Sequence, residues 1–259
     1  MSTKKKLLAL LLCVLILAAT ALGLIWHKQH YEMIDLKFYP RNTDILDLRG
    51  EKISISHYEK IRRRLDVKEI YWDIPLQGKA YPQDIQTLTL MELKEADLKA
   101  IGYFPDLKTV DARGCEAFDL LQKLKKANPQ LQVQYEVSIG GRKYPQDAVS
   151  VRADGMRPGE PELLQYLPDL TEVRIEGSAD AQIMEEAMAI CQQRNVAFLV
   201  VIGGEGREPD TVQLQLENAT AEDLQRLWML PQLRQVHIRN PKMEADVLMQ
   251  TVSAMPNVK

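Results

Sequence analysis

Short stretches of alternating hydrophobic and polar residues are separated along the chain by stretches with helical spacing, and this order recurs every 63 residues. In the period Ile85–Asp147, Leu88 and Leu90 alternate with polar residues, which predicts a short strand with both leucines on one face. Gly140-Gly141 predicts a tight turn that leads into the next period. The whole period is predicted to hold strands over 88–90, 107–112 and 131–139, and helices over 95–104 and 117–128.

The same order of elements is predicted in the periods that follow. The tetrapeptide Tyr81–Asp84 returns unchanged as Tyr144–Asp147, 63 residues later. The proline that ends the first helix, Pro105, returns as Pro168 and Pro231. Further strands are predicted over 149–151, 173–175, 196–202, 214–216 and 236–238, and further helices over 160–167, 181–193, 221–230 and 244–254.

This organisation predicts an α/β solenoid whose 63-residue composite repeat contains three strands and two helices. Each strand–helix unit has one hydrophobic face that it cannot bury alone, so neighbouring units must stack. The last period stops at Pro256–Lys259, where its third strand should begin, which favours a fragment of a longer array. We assign the solenoid to residues 44–259, divided into 44–84 (partial), 85–147, 148–210 and 211–259 (incomplete).

The second strand of the period carries the pattern Leu107-x2-Val110-x-Ala112-x2-Cys115. This pattern resembles the core of the leucine-rich repeat, L-x2-L-x-L-x2-N/C-x-L, and the resemblance covers residues 43–259. It implies strands 22 residues apart, with Cys115 where the family places Asn or Cys to bond the turn backbone. The pattern Tyr-x-Val-x-Ile-Gly-Gly also resembles a composite repeat of exported, membrane-anchored proteins of Gram-positive bacteria.

The first 28 residues have the pattern of a cytoplasmic tip followed by a transmembrane signal anchor. Lys4-Lys5-Lys6 precedes Leu7–Trp26, which is 20 residues without a charge and long enough to cross about 30 Å of hydrocarbon. The lysines predict a cytoplasmic N-terminus, a single pass through the cell membrane and extracytoplasmic repeats, with residues 29–43 as a juxtamembrane stalk. The alternative is a signal peptide cleaved near Ala21, which would give a secreted protein.

Composition and charge limit the classes of partner. The chain is 46% hydrophobic and 27% charged, as folded proteins are, and its formal net charge is −3. Residues 1–28 hold four of the 33 basic residues and no acid, so the remainder carries −7. A mildly acidic body argues against nucleic acid, which binds to a basic face. Three cysteines are too few for a disulfide scaffold, so Cys115 and Cys191 are predicted to be buried free thiols, with a bridge between them as the alternative.

The chain offers few groups for catalysis, cofactors or metals. Gly203–Gly206 follows an apolar run, but a dinucleotide fingerprint needs a third glycine where Pro209 stands. Asp84, Asp147 and Asp210 recur, yet one acid per 63 residues does not make a calcium cage. The four histidines have neither zinc spacing nor a neighbouring nucleophile. We therefore predict that the chain is not an enzyme and has no catalytic residue, cofactor or metal.

The exposed face of the strand ladder is the remaining candidate for a binding surface. Its predicted ligand-facing residues, which we call the ladder residues, are Arg113, Arg174, Glu176, His237 and Arg239. The predicted function is that of a membrane-anchored, extracytoplasmic, leucine-rich-repeat-like module that binds a protein or another envelope component. Two alternatives stay open: a divergent extracytoplasmic enzyme or solute-binding ectodomain, and a structural spacer of a longer surface protein.

Overall fold

The computed structural model describes residues 3–177 and 180–253, with side chains from Val14 onward except those of residues 251 and 252. The described residues form a mixed α/β fold with several small sheets. The helices are α1 (Thr3–His30), α2 (Ile55–Arg64), α3 (Glu95–Ile101), α4 (Phe118–Ala127), α5 (Glu160–Leu163), α6 (Ala181–Arg194), α7 (Ala221–Gln225) and α8 (Ala245–Ser253). The strands are β1 (Tyr31–Ile34), β2 (Lys37–Pro40), β3 (Ile45–Leu48), β4 (Glu69–Leu76), β5 (Lys79–Pro82), β6 (Thr87–Thr89), β7 (Thr109–Asp111), β8 (Gln132–Gln134), β9 (Glu136–Ile139), β10 (Arg142–Pro145), β11 (Ser150–Arg152), β12 (Glu172–Ile175), β13 (Ala197–Ile202), β14 (Glu205–Arg207), β15 (Gln213–Glu217) and β16 (Gln235–Arg239).

The chain forms two compact units. Unit one contains the residues up to Leu88, Leu93–Thr109 and Lys123–Leu131, and unit two contains Thr89–Glu92, Val110–Gln122 and the residues from Gln132 onward. In unit one, β1 and β2 form an antiparallel hairpin, β3 is parallel to β4, and β4 is antiparallel to β5. In unit two, β11, β12 and β13 are parallel and β14 is antiparallel at the edge, while β9 pairs with β10 and β15 with β16. A further sheet has the strand order β6-β7-β8.

The predicted order of strands and helices is confirmed over the described part of the repeats. Ser150 lies opposite Glu172, and Gln213 lies opposite Gln235, so both parallel pairs have the predicted spacing of 22 residues. The predicted third strand over 131–139 is interrupted at Tyr135, because β8 belongs to the sheet with β7 whereas β9 pairs with β10.

Three predicted helices are shorter than expected. The helix predicted over 95–104 is α3, which ends at Ile101. The helix predicted over 160–167 consists of α5 and a 3₁₀ turn at Leu164–Tyr166. The helix predicted over 221–230 consists of α7 and a 3₁₀ turn at Leu227–Met229. Each 3₁₀ turn tightens the end of the helix shortly before a proline, which cannot continue it.

The hydrophobic core lies between the strands and the apolar stripes of the helices. Val110 and Val173 occupy equivalent positions of two periods and are fully buried, whereas Val236 at the third copy is half-buried. The stripe of α4 contributes Leu121 and Leu124, which are also buried. The alternation that predicted the strands therefore reflects one inward and one outward face.

The hairpin of each period contains a turn of two residues with positive φ angles. The angles are 51° and 75° at Gln77-Gly78, 56° and 72° at Gly140-Gly141, and 61° and 83° at Gly203-Gly204. Two adjacent residues with positive φ are typical of the type I′ turn of hairpins. The predicted glycine turns are thus confirmed.

An acid in the first turn of a following helix holds each of these turns. These three acids, which we call the turn-holding acids, are Asp97, Glu160 and Asp223, spaced 63 residues apart. Glu160 Oε2 accepts hydrogen bonds from the backbone N–H of Gly140 at 2.8 Å and of Arg157 at 3.0 Å. One carboxylate therefore fixes both the loop that leads into its own helix and the preceding hairpin.

The other two periods repeat this contact. Asp223 accepts from the backbone N–H of Gly203 at 2.8 Å through Oδ1 and from that of Thr220 at 2.9 Å through Oδ2. Asp97 accepts from the side-chain amide of Gln77 at 3.1 Å. Asp97 and Asp223 are both buried, so these bonds satisfy carboxylates that would otherwise be costly to desolvate.

The predicted membrane anchor is wrong. Leu7–Trp26 lies within α1, but the described residues contain no helix that is long and apolar enough to span a membrane. The predicted single-pass localisation, with a cytoplasmic N-terminus and extracytoplasmic repeats, is wrong with it.

Each end of the repeat region carries a prediction of its own. Residues 29–43, predicted as a stalk, contain the β1–β2 hairpin. The predicted break in the last period, at Pro256–Lys259, lies outside the described residues.

Candidate functional site

The five ladder residues all belong to unit two. The first of them, Arg113, is paired with the last residue of the strand that precedes it. Arg113 follows β7 and donates two hydrogen bonds to Asp111, from Nε to Oδ1 at 2.9 Å and from Nη2 to Oδ2 at 2.8 Å. These bonds lower the pKa of Asp111 and raise the pKa of Arg113. The charge of Arg113 is therefore largely compensated inside the chain.

Arg174 and Glu176 lie together in a network with Arg152 and Asp154. Arg174 Nε is 3.7 Å from Glu176 Oε1, and Arg152 Nη2 is 3.0 Å from Glu176 Oε2. Arg152 Nη2 is also 2.8 Å from Asp154 Oδ2. Burial acts to raise the pKa of Asp154, but the backbone N–H groups of Glu176 and Gly177 and the Arg152 guanidinium outweigh it, so the pKa is lowered. With Glu172, 3.6 Å from Arg174, and Arg142, 3.9 Å from Asp154, the network holds three positive and three negative charges.

His237 and Arg239 share the exposed face of β16. In the parallel pair with β15, Gln215 lies opposite His237 and Glu217 opposite Arg239. Gln235 Nε2 is 3.0 Å from His237 Nε2 on the same face. This face is polar and exposed, and its side chains can exchange water for groups of a partner.

The ladder is thus a set of three patches, formed by Arg113 with Asp111, by Arg174 with Glu176, and by His237 with Arg239. The second patch lies on β12 and the third on β16, which belong to different sheets. Exposed ion pairs of this kind contribute about 0–1 kcal/mol each to stability, so a partner can replace them at little cost.

Unit two also contains a cleft of 810 Å³, which sequence analysis missed. Phe118 from α4 and Tyr166 from the 3₁₀ turn after α5 stack in it, with ring centroids 4.9 Å apart. Tyr166 donates its hydroxyl hydrogen bond to Asp119 Oδ1 at 2.8 Å. Burial, followed by the hydrogen bond to Asp119 and its charge, raises the pKa of Tyr166.

The cleft is acidic. Its charged lining consists of Glu116, Asp119, Glu136, Glu160 and Glu162 against Lys143 and Arg157, a net charge of −3. Lys143 Nζ lies 3.6 Å from Glu136, and Glu160 is the turn-holding acid. Glu116 and Glu162 are exposed and form no ion pair with any other side chain that the structure describes.

Unit one also contains a contact between a tyrosine and a carboxylate, and there a lysine joins it. Tyr103, the residue 63 positions before Tyr166, donates to Glu59 Oε1 at 2.6 Å. Lys99 Nζ is 2.9 Å from the same oxygen, and the residue 63 positions after Lys99 is Glu162. The hydrogen bond to Glu59, then burial, raises the pKa of Tyr103 to about 12. The signal that could have revealed this pair is the 63-residue spacing of the tyrosines.

Aromatic rings surround the contact in unit one. Tyr58 stacks on the buried Trp72 with ring centroids 4.1 Å apart, and Tyr103 meets both rings edge-on at 5.5 and 5.8 Å. A groove of 450 Å³ beside these rings is lined by Tyr58, Glu59, Arg62, Arg63 and Tyr103. The two arginines make this groove more basic than the cleft of unit two.

Sequence analysis found no partner for His57, but the structure gives it two. His57 Nε2 is 2.7 Å from the Tyr39 hydroxyl, and His57 Nδ1 is 2.7 Å from Asp35 Oδ2. Lys60 Nζ lies 2.6 Å from the other oxygen of Asp35. Tyr39 and His57 are both buried, so this chain of bonds ties the β1–β2 hairpin to α2.

Cysteines and acids give no sign of redox or metal chemistry in the described part of the chain. Cys115 and Cys191 are buried and free, as predicted, and burial raises the pKa of the Cys191 thiol to about 11. Asp84, Asp147 and Asp210 are exposed on turns. Residues 3–177 and 180–253 contain no group of three His, Cys, Asp or Glu that could hold a metal ion.

Comparison of the chain with protein-family models, with curated proteins and with solved structures finds no match. The resemblance to leucine-rich repeats therefore stays a prediction. It is in keeping with the 22-residue spacing of two parallel strand pairs.

Proposed function

We propose that this chain is a leucine-rich-repeat-like solenoid that binds a protein partner through its strand ladder. The observation that supports this best is the parallel register of β15 and β16, which places outward side chains 22 residues apart side by side. Gln215 next to His237 and Glu217 next to Arg239 give four hydrogen-bonding groups on one exposed face. Such a face suits recognition of polar and charged groups on a partner.

The arrangement of charges supports reversible binding. The pairs at Arg113 and Arg174 hold their side chains in fixed positions, and pre-positioned side chains lose less conformational freedom when a partner binds. Because these pairs are at least partly exposed, their replacement by partner groups costs little. We therefore propose that the ladder contributes mainly specificity and association rate.

We also propose that the module acts by binding and not by catalysis. His57, a histidine with a carboxylate and a hydroxyl partner, is buried between Tyr39 and Asp35. Its contacts stabilise the hairpin.

The test is a triple variant, Arg113→Ala with Arg174→Ala and Arg239→Ala. We expect capture of the partner by the full chain, followed by titration with that purified partner, to be weakened at least ~10-fold. The matched control is Lys108→Ala with Lys125→Ala and Lys126→Ala, which removes three positive charges from exposed positions of unit one. If the ladder variant and the control bind every captured protein as well as the wild type does, the chain is a spacer and the proposal is wrong.

A further inference from the structure

The two tyrosine–carboxylate contacts differ in the residue that occupies one position of the repeat. In unit one, the carboxylate of Glu59 accepts a hydrogen bond of 2.6 Å from the Tyr103 hydroxyl and forms an ion pair with the Lys99 ammonium group at 2.9 Å. In unit two, Asp119 receives the Tyr166 hydroxyl. The position that corresponds to Lys99 carries Glu162, so a carboxylate stands where the first contact has an ammonium group.

The cleft around Asp119 carries an excess of negative charge. Glu162 acts on Tyr166 electrostatically, since its negative charge contributes to the raised pKa of that tyrosine. Glu116 and Glu162 form no ion pair with another described side chain, and both line the cleft with Asp119. These three carboxylates of the cleft lining thus form no ion pair with a described side chain. The cations of the lining are Lys143, which is 3.6 Å from Glu136, and the exposed Arg157.

The shape and aromatic wall of the cleft suit a long cationic side chain. Its volume of 810 Å³ is enough for several residues of a peptide. The partly exposed ring of Tyr166, stacked on the buried ring of Phe118, provides an apolar wall against which an alkyl chain can pack, and the carboxylate of Asp119 beside it can pair with a cation. A lysine side chain combines both properties.

We propose that the cleft of unit two binds a lysine-bearing segment of a partner polypeptide, with a lysine ammonium group at Asp119 and Tyr166 in the role that Lys99 has at Glu59 and Tyr103. Further cations of the same segment pair with Glu116 and Glu162. The spread of these carboxylates over the cleft favours a chain with several cations over a single free amine. This site consists of residues other than the five ladder residues, and it stands or falls independently of the function proposed for them.

The experiment uses the full chain and a labelled peptide with three lysines spaced by glycine and serine, acetylated and amidated at its ends. Fluorescence anisotropy at low ionic strength should show binding that weakens as salt is added. The same peptide with norleucine in place of lysine should not bind. Putrescine in excess should compete only weakly.

The decisive variant is Glu162→Lys, which gives unit two the cation that unit one has at Lys99. We expect it to weaken binding of the lysine peptide at least ~10-fold, because the new ammonium group occupies the site and repels the ligand. The matched control is Glu185→Lys on α6, an exposed glutamate outside the cleft lining, which should change binding less than ~2-fold. The triple ladder variant should also bind the peptide as the wild type does.

Several results would overturn the proposal. They are absence of salt-dependent binding to the wild type, equal weakening by Glu162→Lys and Glu185→Lys, binding of the norleucine peptide, or competition by putrescine at the affinity of the peptide. If Glu162→Lys does not fold, Glu162→Gln serves instead, and it should weaken binding ~2- to 5-fold.

Discussion

Unit one and unit two use the same repeat position for a tyrosine but give it opposite electrostatic settings. Tyr103 lies beside a carboxylate that Lys99 neutralises, within a cluster of aromatic rings and next to two arginines. Tyr166 lies beside Asp119 in a cleft with a net charge of −3. The repeat thus keeps the position of the tyrosine, while one charge reversal, from Lys99 to Glu162, changes the electrostatic setting of that tyrosine.

The largest expected effect concerns the aromatic residue behind the tyrosine of unit one. Trp72 is 2% exposed and stacks on Tyr58, and its counterpart 63 residues later is Tyr135. Trp72→Ala should lower the free energy of unfolding by about 3–5 kcal/mol, because it leaves a cavity among three rings. Urea denaturation measures this. Trp228→Ala, at a position 46% exposed, should cost less than ~1 kcal/mol, and equal losses would mean that the ring cluster contributes nothing.

The second-largest effect on stability distinguishes the hairpin turn at Gln77 in unit one from the turn at Gly140 in unit two. Gln77 and Gly140 occupy the same turn position with φ of 51° and 56°, but a Cβ on Gly140 would lie 2.3 Å from the carbonyl oxygen of Asp154. Gly140→Gln should therefore cost about 2–4 kcal/mol, from strain and from displacement of that backbone. The reverse change, Gln77→Gly, relieves the strain of a positive φ but removes the hydrogen bond to Asp97, so it should change stability by less than about 1 kcal/mol. A thermal unfolding series that ranks the two changes in the opposite order would contradict the close approach at Gly140.

A smaller effect depends on pH and concerns the turn-holding acids. Burial acts to raise the pKa of Asp223, but bonds from Thr220 and Gly203 and the charge of Arg226 outweigh it and lower the pKa below 3.8. Since the folded-state pKa is lowered, this stabilisation is present above the unfolded value of 3.8 and is lost as the pH falls through the folded value. Asp223→Asn should cost about 1–3 kcal/mol at neutral pH.

The pH dependence provides the control for that substitution. Denaturation at neutral and at acidic pH should show a smaller loss of stability on acidification for Asp223→Asn than for the wild type. An unchanged acid profile in Asp223→Asn would show that Asp223 does not titrate with folding.

The smallest effect is expected at the tyrosine of unit one itself. Tyr103 has its pKa raised to about 12, first by the hydrogen bond to Glu59. A raised pKa means that the stabilisation is complete below the unfolded value of 10.0 and disappears as the pH rises towards about 12. Tyr103→Phe should cost about 0.5–1.5 kcal/mol at neutral pH and remove one late step from the ultraviolet titration of tyrosinate. If that late step persists in Tyr103→Phe, it belongs to another tyrosine.

The order of the elements could be predicted from the sequence because alternation and helical spacing report directly on which side chains are buried. Val110 and Val173 illustrate this, since each lies on the inward face of its strand. The change of pairing at Tyr135 could not be predicted, because the hydrophobic pattern continues through it while the strand exchanges one partner for another. The anchor predicted from the absence of charge over Leu7–Trp26 is wrong, since no helix of the described residues is long and apolar enough to span a membrane.

The candidate sites were harder to predict than the fold. Outward positions such as Arg174 were identified, but their pairing with neighbouring acids depends on side-chain directions that a pattern does not give. The carboxylates that meet the two tyrosines, Glu59 and Asp119, are not 63 residues apart, so the repeat did not reveal them. The turn-holding acids do follow the period, but their contact with a hairpin turn 20 residues earlier depends on how the chain folds back, which a pattern does not give.

The turn-holding acids have a consequence for how the chain folds. Gln77 to Asp97, Gly140 to Glu160, and Gly203 to Asp223 each span 20 residues, so every closure is local. Closing a short loop costs little chain entropy, and contacts of small sequence separation form early. Each hairpin can therefore find its helix on the growing chain before the next period has left the ribosome.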